Sequence, residues 1–99
     1  MIDYIKNYNI NSLEYEYVLS NLRRDVLDLF VVNEEYIKEN IESLMEFGIK
    51  SGIAKLIVTR PDIFLLDKEL LMENLSKIDK KIVVNIAMKS PEDLILLGI

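Results

Sequence analysis

The chain has 99 residues, just over half of them apolar and 29% charged, a balance that excludes a disordered chain and allows one domain with a modest core. Cysteine and histidine are absent, which removes disulfides, thiolate and imidazole metal sites, cysteine nucleophiles and the side chain best suited to proton transfer near neutral pH. The formal charge of −5 is unevenly spread, with −6 over residues 1–49, +3 over residues 50–89 and −2 over residues 90–99.

Residues 1–10 are mixed and tyrosine-bearing, and read as a short N-terminal helix or cap. Asn11 offers a capping oxygen and Glu14 follows three residues later, which predicts a helix start there. Leu13, Tyr17, Val18 and Leu22 fall at helical spacing, and apolar positions continue through Val26, Leu27, Leu29 and Phe30. The helix therefore either runs on or breaks near Arg23-Arg24. An internal repeat argues for the break. Residues 28–44 return as residues 62–78, with five of 17 pairs identical: Asp28/Asp62, Phe30/Phe64, Glu35/Glu69, Glu39/Glu73 and Asn40/Asn74. The counterpart of Leu27 is Pro61, and a proline ends the helix before it.

A helix is predicted after Asn33, whose side chain can accept from first-turn N–H groups, with Glu34 and Glu35 set against the helix dipole. It runs to about Phe47, because Gly48 can take the positive-φ position that ends helices. Tyr36, Ile37, Ile41, Leu44 and Met45 form its apolar stripe, matched after the cap Asp67 by Leu70, Leu71, Leu75 and Ile78. Between them, Ser51 is a candidate cap for a helix carrying Ile53, Leu56 and Ile57. Residues 80–89 are the analogous helix one unit later, with Ile82, Val83, Ile86 and Ala87 inward; β propensity over 81–86 leaves a strand as the alternative. Ser90 to Leu97 then restates Arg60 to Leu66. The expected fold is all-α, a tandem helical repeat with a period of about 31–34 residues: a cap at 1–10 and units at about 11–48, 49–79 and 80–99, the last incomplete.

The segment Leu44-Met45-Glu46-Phe47-Gly48-Ile49, then Ile53, Leu56-Ile57, Pro61-Asp62-Ile63-Phe64 and Leu70-Leu71 resembles the repeat of the mitochondrial transcription termination factor family. The resemblance spans roughly residues 22–97 and is densest over 44–75. It implies paired α-helices with 3₁₀ turns near 25–30, 61–66 and 91–97, stacked into a curved solenoid that binds nucleic acid on a basic face. This chain departs from the family in having about two and a half units and an acidic balance, so the fold is carried over and the activity is not.

Candidate sites are surfaces. Glu35, Glu39, Glu42 and Glu46 lie at spacings of 4, 3 and 4 on one helix face, either as ordinary solvated surface or as a stripe that docks a basic protein. Lys77, Lys80, Lys81 and Lys89, with Lys50, Lys55 and Arg60 bordering, either offset helix dipoles or contact phosphates without sequence choice. Arg23-Arg24 beside Asp25 and Asp28 reads as an ion-pair cluster. Tyr4, Tyr8, Tyr15 and Tyr17 read as packing for an end cap or as a contact surface. Leu94, Leu96, Leu97 and Ile99 close an unfinished unit, where they can fold back, pair with a second copy or receive a partner; Leu94 and Leu97 are the candidates for protein binding.

No histidine-paired serine, glycine-rich phosphate loop or nucleophile elbow is present, and no enzyme activity or cofactor is expected. No apolar run approaches the roughly 18 residues that span a bilayer, and Asp3 stands where a basic leader would be, so a cytoplasmic protein is expected. The expected function is a small non-catalytic regulator or inhibitor that binds a protein partner. Nucleic-acid binding on the lysine-rich surface is the alternative.

Overall fold

The computed structural model describes residues 1–99 and is entirely helical, with no strand. Its elements are a 3₁₀ helix η1 (Asp3–Tyr8), α1 (Ser12–Asn21), α2 (Arg24–Val32), α3 (Glu34–Phe47), α4 (Ile53–Thr59), α5 (Pro61–Phe64), α6 (Lys68–Ser76), α7 (Lys80–Lys89) and a second 3₁₀ helix η2 (Pro91–Leu97). The α-helix over 80–89 is the helical alternative for that segment, and the strand does not form.

Local chemistry accounts for most of the boundaries. Asn11 and Glu14 make the reciprocal capping box, each accepting from the other's backbone N–H. The backbone is extended at Leu22 and Arg23, and α2 starts at Arg24, so the chain breaks where the arginine pair stands. Pro61 occupies the first position of α5, where its missing N–H is no loss. Asp67 accepts from Glu69 N at 3.4 Å to open α6, and Asp79 accepts from Lys81 N at 2.9 Å to open α7. Gly48, at φ +126°, closes α3 as Ile49 N reaches back to the Leu44 carbonyl at 3.0 Å.

Four local expectations are corrected. Asn33 does not cap α3 with its side chain; its amide donates to the Leu29 carbonyl at 2.9 Å and finishes α2 instead. Ser51 is not the cap of α4, whose N-cap is Gly52 at φ +77°. The 3₁₀ turn expected near 25–30 is α-helical, with Leu27 N bonded to the Arg23 carbonyl four residues back, whereas the short helix at Pro61–Phe64 keeps three-residue bonds at its ends, Ile63 N to the Arg60 carbonyl and Leu65 N to the Asp62 carbonyl. The segment 91–97 is 3₁₀ as expected, with Asp93 N bonded to the Ser90 carbonyl three back. Fourth, several residues assigned inward by spacing lie outside: Leu13, Tyr17, Tyr36, Leu70 and Ile82 are exposed. Six of the nine α2 residues are likewise apolar, and a helix with one face on the core cannot bury all of them, so Leu29, Val31 and Val32 face out.

The helices pack in two rows. α1 lies against α4 and α4 against α7, while η1 lies against α3 and α3 against α6. α5 sits between the rows, touching α3 and α4, and η2 closes the end against α4 and α7. α3 and α6 begin 34 residues apart, but α1, α4 and α7 begin at residues 12, 53 and 80, which are 41 and 27 apart, so helix starts do not follow one spacing. A radius of gyration of 12.5 Å matches the ~13 Å of a compact chain of this size.

Phe30 from α2 and Phe64 from α5 meet in the core with ring centroids 6.4 Å apart and planes tilted by 50°. Each fully buried ring contributes about 1.5–3 kcal/mol from lost water contact, and a tilted pair about 0.5–1.5 kcal/mol more. Two side chains hold the ends of those helices from outside. Tyr4 in η1 donates its hydroxyl to the Phe30 carbonyl at 2.7 Å, and Asn40 in α3 donates to the Phe64 carbonyl at 2.8 Å. No helix is long and apolar enough to cross a membrane.

Candidate binding surfaces

The acidic ridge is built by helical spacing alone. α3 turns Ile37, Asn40, Ile41, Ser43 and Leu44 inward, which sends Glu35, Glu39, Glu42 and Glu46 to solvent on the opposite side, all four exposed. Lys38 is the one cation of this helix, and it is occupied by Glu34 at 3.9 Å and Glu35 at 3.8 Å. Tyr8 donates its hydroxyl to Glu42 Oε2 at 2.7 Å and ties η1 to the middle of the ridge. Burial, reinforced by the Glu42 hydrogen bond, pushes the Tyr8 phenol up to about 12.

The lysines divide. Lys77 follows α6, lies 3.9 Å from Glu73 and does not line the groove that the other three form. Lys80, Lys81 and Lys89, all from α7, line an open groove of about 600 Å³ with Gly48, Val84, Asn85 and Met88. The floor is Val84 and Met88, one turn apart, and the Lys80 ammonium lies 5.5 Å from the centre of the Phe47 ring. None of the three groove lysines is in an ion pair, whereas Lys6, Lys38, Lys77 and all three arginines are. Lys50 and Lys55 are exposed outside the groove lining.

Arg60 does not join this basic surface. It forks onto Asp62 through Nε at 3.0 Å and Nη2 at 2.8 Å, and Nη2 also donates to the Ile99 carbonyl at 2.7 Å. Arg23 makes the same fork onto Asp25, at 3.1 and 2.6 Å, and Arg24 lies 3.5 Å from Asp28, so the expected ion-pair cluster is present. Three of the four early tyrosines pack at the end cap, Tyr15 beneath the Lys6 ammonium at 4.3 Å, while Tyr17 remains exposed.

Leu94 does not belong to a binding surface. It is 2% exposed and part of the core, and Leu97 and Ile99 pack against that core. The short 3₁₀ helix folds these residues back onto α4 and α7, leaving Ile95 and Leu96 as the exposed apolar pair. Leu94, Leu97 and Ile99 have taken the first of the three fates open to them, and Leu96 has not.

A second concavity, about 440 Å³, is lined by Leu29, Asn33, Tyr36, Leu65 and Asp67. Neither it nor the α7 groove was visible in the sequence, because one sets Leu29 beside Asp67 and the other Gly48 beside Val84, pairs more than 30 positions apart. The one available signal was the surplus of apolar residues on α2 and α7. No group of three or more acidic side chains is placed to hold a metal ion. No protein-family model matches this chain, and neither curated proteins nor solved structures contain a match to it.

Proposed function

We propose that the protein is a small, non-catalytic binding module whose α3 ridge docks a protein with a basic surface, acting in the cytoplasm as a regulator or inhibitor. The observation that carries this reading is the outward row of Glu35, Glu39, Glu42 and Glu46, with the sole lysine of the helix already occupied. Exposed carboxylates add little affinity singly, but a row of one sign steers a complementary surface and repels a polyanion. The row is carried by a helix anchored at both ends of its buried face, through Ile37 and Leu44, which keeps the charges in register. We further propose that the helix rows are a short repeat in the manner of the transcription termination factors. Supporting this are the 34-residue spacing of α3 and α6 and the Phe30/Phe64 pair at the same offset.

The test is a nuclease-treated pull-down from native lysate with the wild-type chain and with Glu39→Lys/Glu42→Lys, bound proteins being identified by mass. A basic protein retained by the wild type and lost by the variant supports the reading. Capture that is unchanged by the variant, or that vanishes with nuclease, removes it.

A further inference from the structure

We infer that the α7 groove is a second binding site, and that its ligand is an amphipathic helical peptide segment carrying acidic residues at both ends of a short apolar patch. The chemistry of the groove specifies both features. Val84 and Met88 stand one turn apart on its floor, Gly48 lines it beside Val84 without a side chain, and Met88 keeps 39% of its surface exposed. A thioether and a branched aliphatic on an open floor adapt to apolar side chains of a docked helix.

Cations stand at both ends of that floor, Lys80 and Lys81 at one and Lys89 at the other. Lys81 and Lys89, which lie within a quarter turn of each other around α7, are eight residues apart, or about 12 Å at the helical rise. None has an internal ion-pair partner, and no carboxylate lines the groove. The nearest one in sequence, Asp79, is turned to the Lys81 backbone N–H at 2.9 Å. A partner helix with Glu or Asp seven or eight residues apart, about two turns, flanking two apolar residues on the same face, matches the spacing.

A single nucleic-acid strand fits less well. Bases need aromatic platforms, and no aromatic side chain lines the groove, the neighbouring Phe47 ring being covered by Lys80. The end of α3 beside it also carries Glu46, exposed, which opposes a continuous polyanion. The α3 ridge of a second copy fails for the opposite reason, since its exposed row is all carboxylate and brings no apolar patch to the floor.

The experiment is a display selection from random peptides of about 18 residues, roughly five helical turns, against the intact protein. Parallel selections use Lys81→Glu/Lys89→Glu and Val84→Asp, each checked for native helicity, and a labelled single-stranded DNA is titrated at low salt. The expected result is enrichment of peptides with acidic residues bracketing apolar ones. Their affinity falls about tenfold or more on both variants, and amide shifts concentrate at Val84, Asn85 and Met88. Failure to enrich, enrichment without acidic residues, or equal binding to the variants overturns the proposal. DNA binding that is lost with the lysine variant while no peptide competes for it overturns it in favour of nucleic acid. Because the α3 ridge is untouched by these substitutions, either outcome leaves the reading of that ridge to its own test.

Discussion

Asn40 donates its side-chain amide to the Phe64 carbonyl at 2.8 Å, and the same nitrogen reaches the Leu66 carbonyl at 2.7 Å. Asn40 is fully buried, and its Oδ1 has no partner. The orientation of the amide is dictated by its surroundings, because a flipped group would set oxygen against two carbonyl oxygens. One side chain of α3 thus satisfies both carbonyls where α5 ends and the chain turns towards α6.

Replacing Asn40 by alanine leaves two buried carbonyls without donors, and about 2–4 kcal/mol of stability is lost by urea denaturation. Asn40→Asp is at least as damaging, since a carboxylate cannot donate to a carbonyl and its charge is buried. An aspartate variant as stable as wild type at pH 7 contradicts this role.

The two Arg–Asp forks separate burial from geometry. Arg23→Ala leaves stability unchanged within error, because both partners are in solvent. Arg60→Ala costs about 1–2 kcal/mol, because the 16%-exposed Arg60 side chain also holds the Ile99 carbonyl. Arg60 holds the Asp62 carboxyl below its usual range, so folding is favoured above pH ~4 and that contribution fades as pH falls through the lowered value. Asp62→Asn removes this acid-side dependence in a pH series of urea midpoints.

Tyr8 acts at the alkaline end. Its phenol is raised by burial and by Glu42 to about 12. Folding therefore favours the protonated form; the contribution is complete below pH ~10 and is lost as pH rises through the raised value. Tyr4 shifts in the same direction, chiefly by burial. Tyr8→Phe reduces the alkaline loss of helicity, measured by circular dichroism. An unchanged alkaline profile would remove Tyr8 as its source.

Gly48→Ala costs more than Gly98→Ala. Both glycines have positive φ, but a Cβ at Gly48 meets Val84 Cγ2 at 3.2 Å and one at Gly98 meets nothing within 4 Å. The backbone penalty alone is about 1–2 kcal/mol at each position, and the contact adds to it at Gly48. Thermal midpoints of the two variants check the order.

Leu94 and Leu96, two residues apart, behave oppositely. Leu94→Ala loses about 2–5 kcal/mol from the core, while Leu96→Glu, at an 80%-exposed position, stays within about 0.5 kcal/mol of wild type. A large effect at Leu96 would place it in an interface in solution, which a parallel sedimentation measurement detects.

Capping chemistry was the most legible layer of this sequence. Asn11 with Glu14, Asp67, Gly48 and Pro61 each act within a few residues, and each sits at the boundary its local chemistry implied. Asn33 misled because its amide can serve either the helix before it or the one after, and the carbonyl of Leu29 was within reach. The acidic ridge was also legible, since one helix with an apolar stripe fixes its own opposite face.

The amino-acid sequence alone determined that the chain is helical, where most helices begin and end, and that α3 presents glutamates to solvent. Those properties depend on residues one to four positions apart. Only the tertiary structure decided that Leu94 is core, that Lys77 pairs with Glu73 while Lys80, Lys81 and Lys89 line one groove, and that Gly48 lies against Val84 there. Helical periodicity says which side of an element is apolar; which element covers that side is settled by packing between segments distant in the chain.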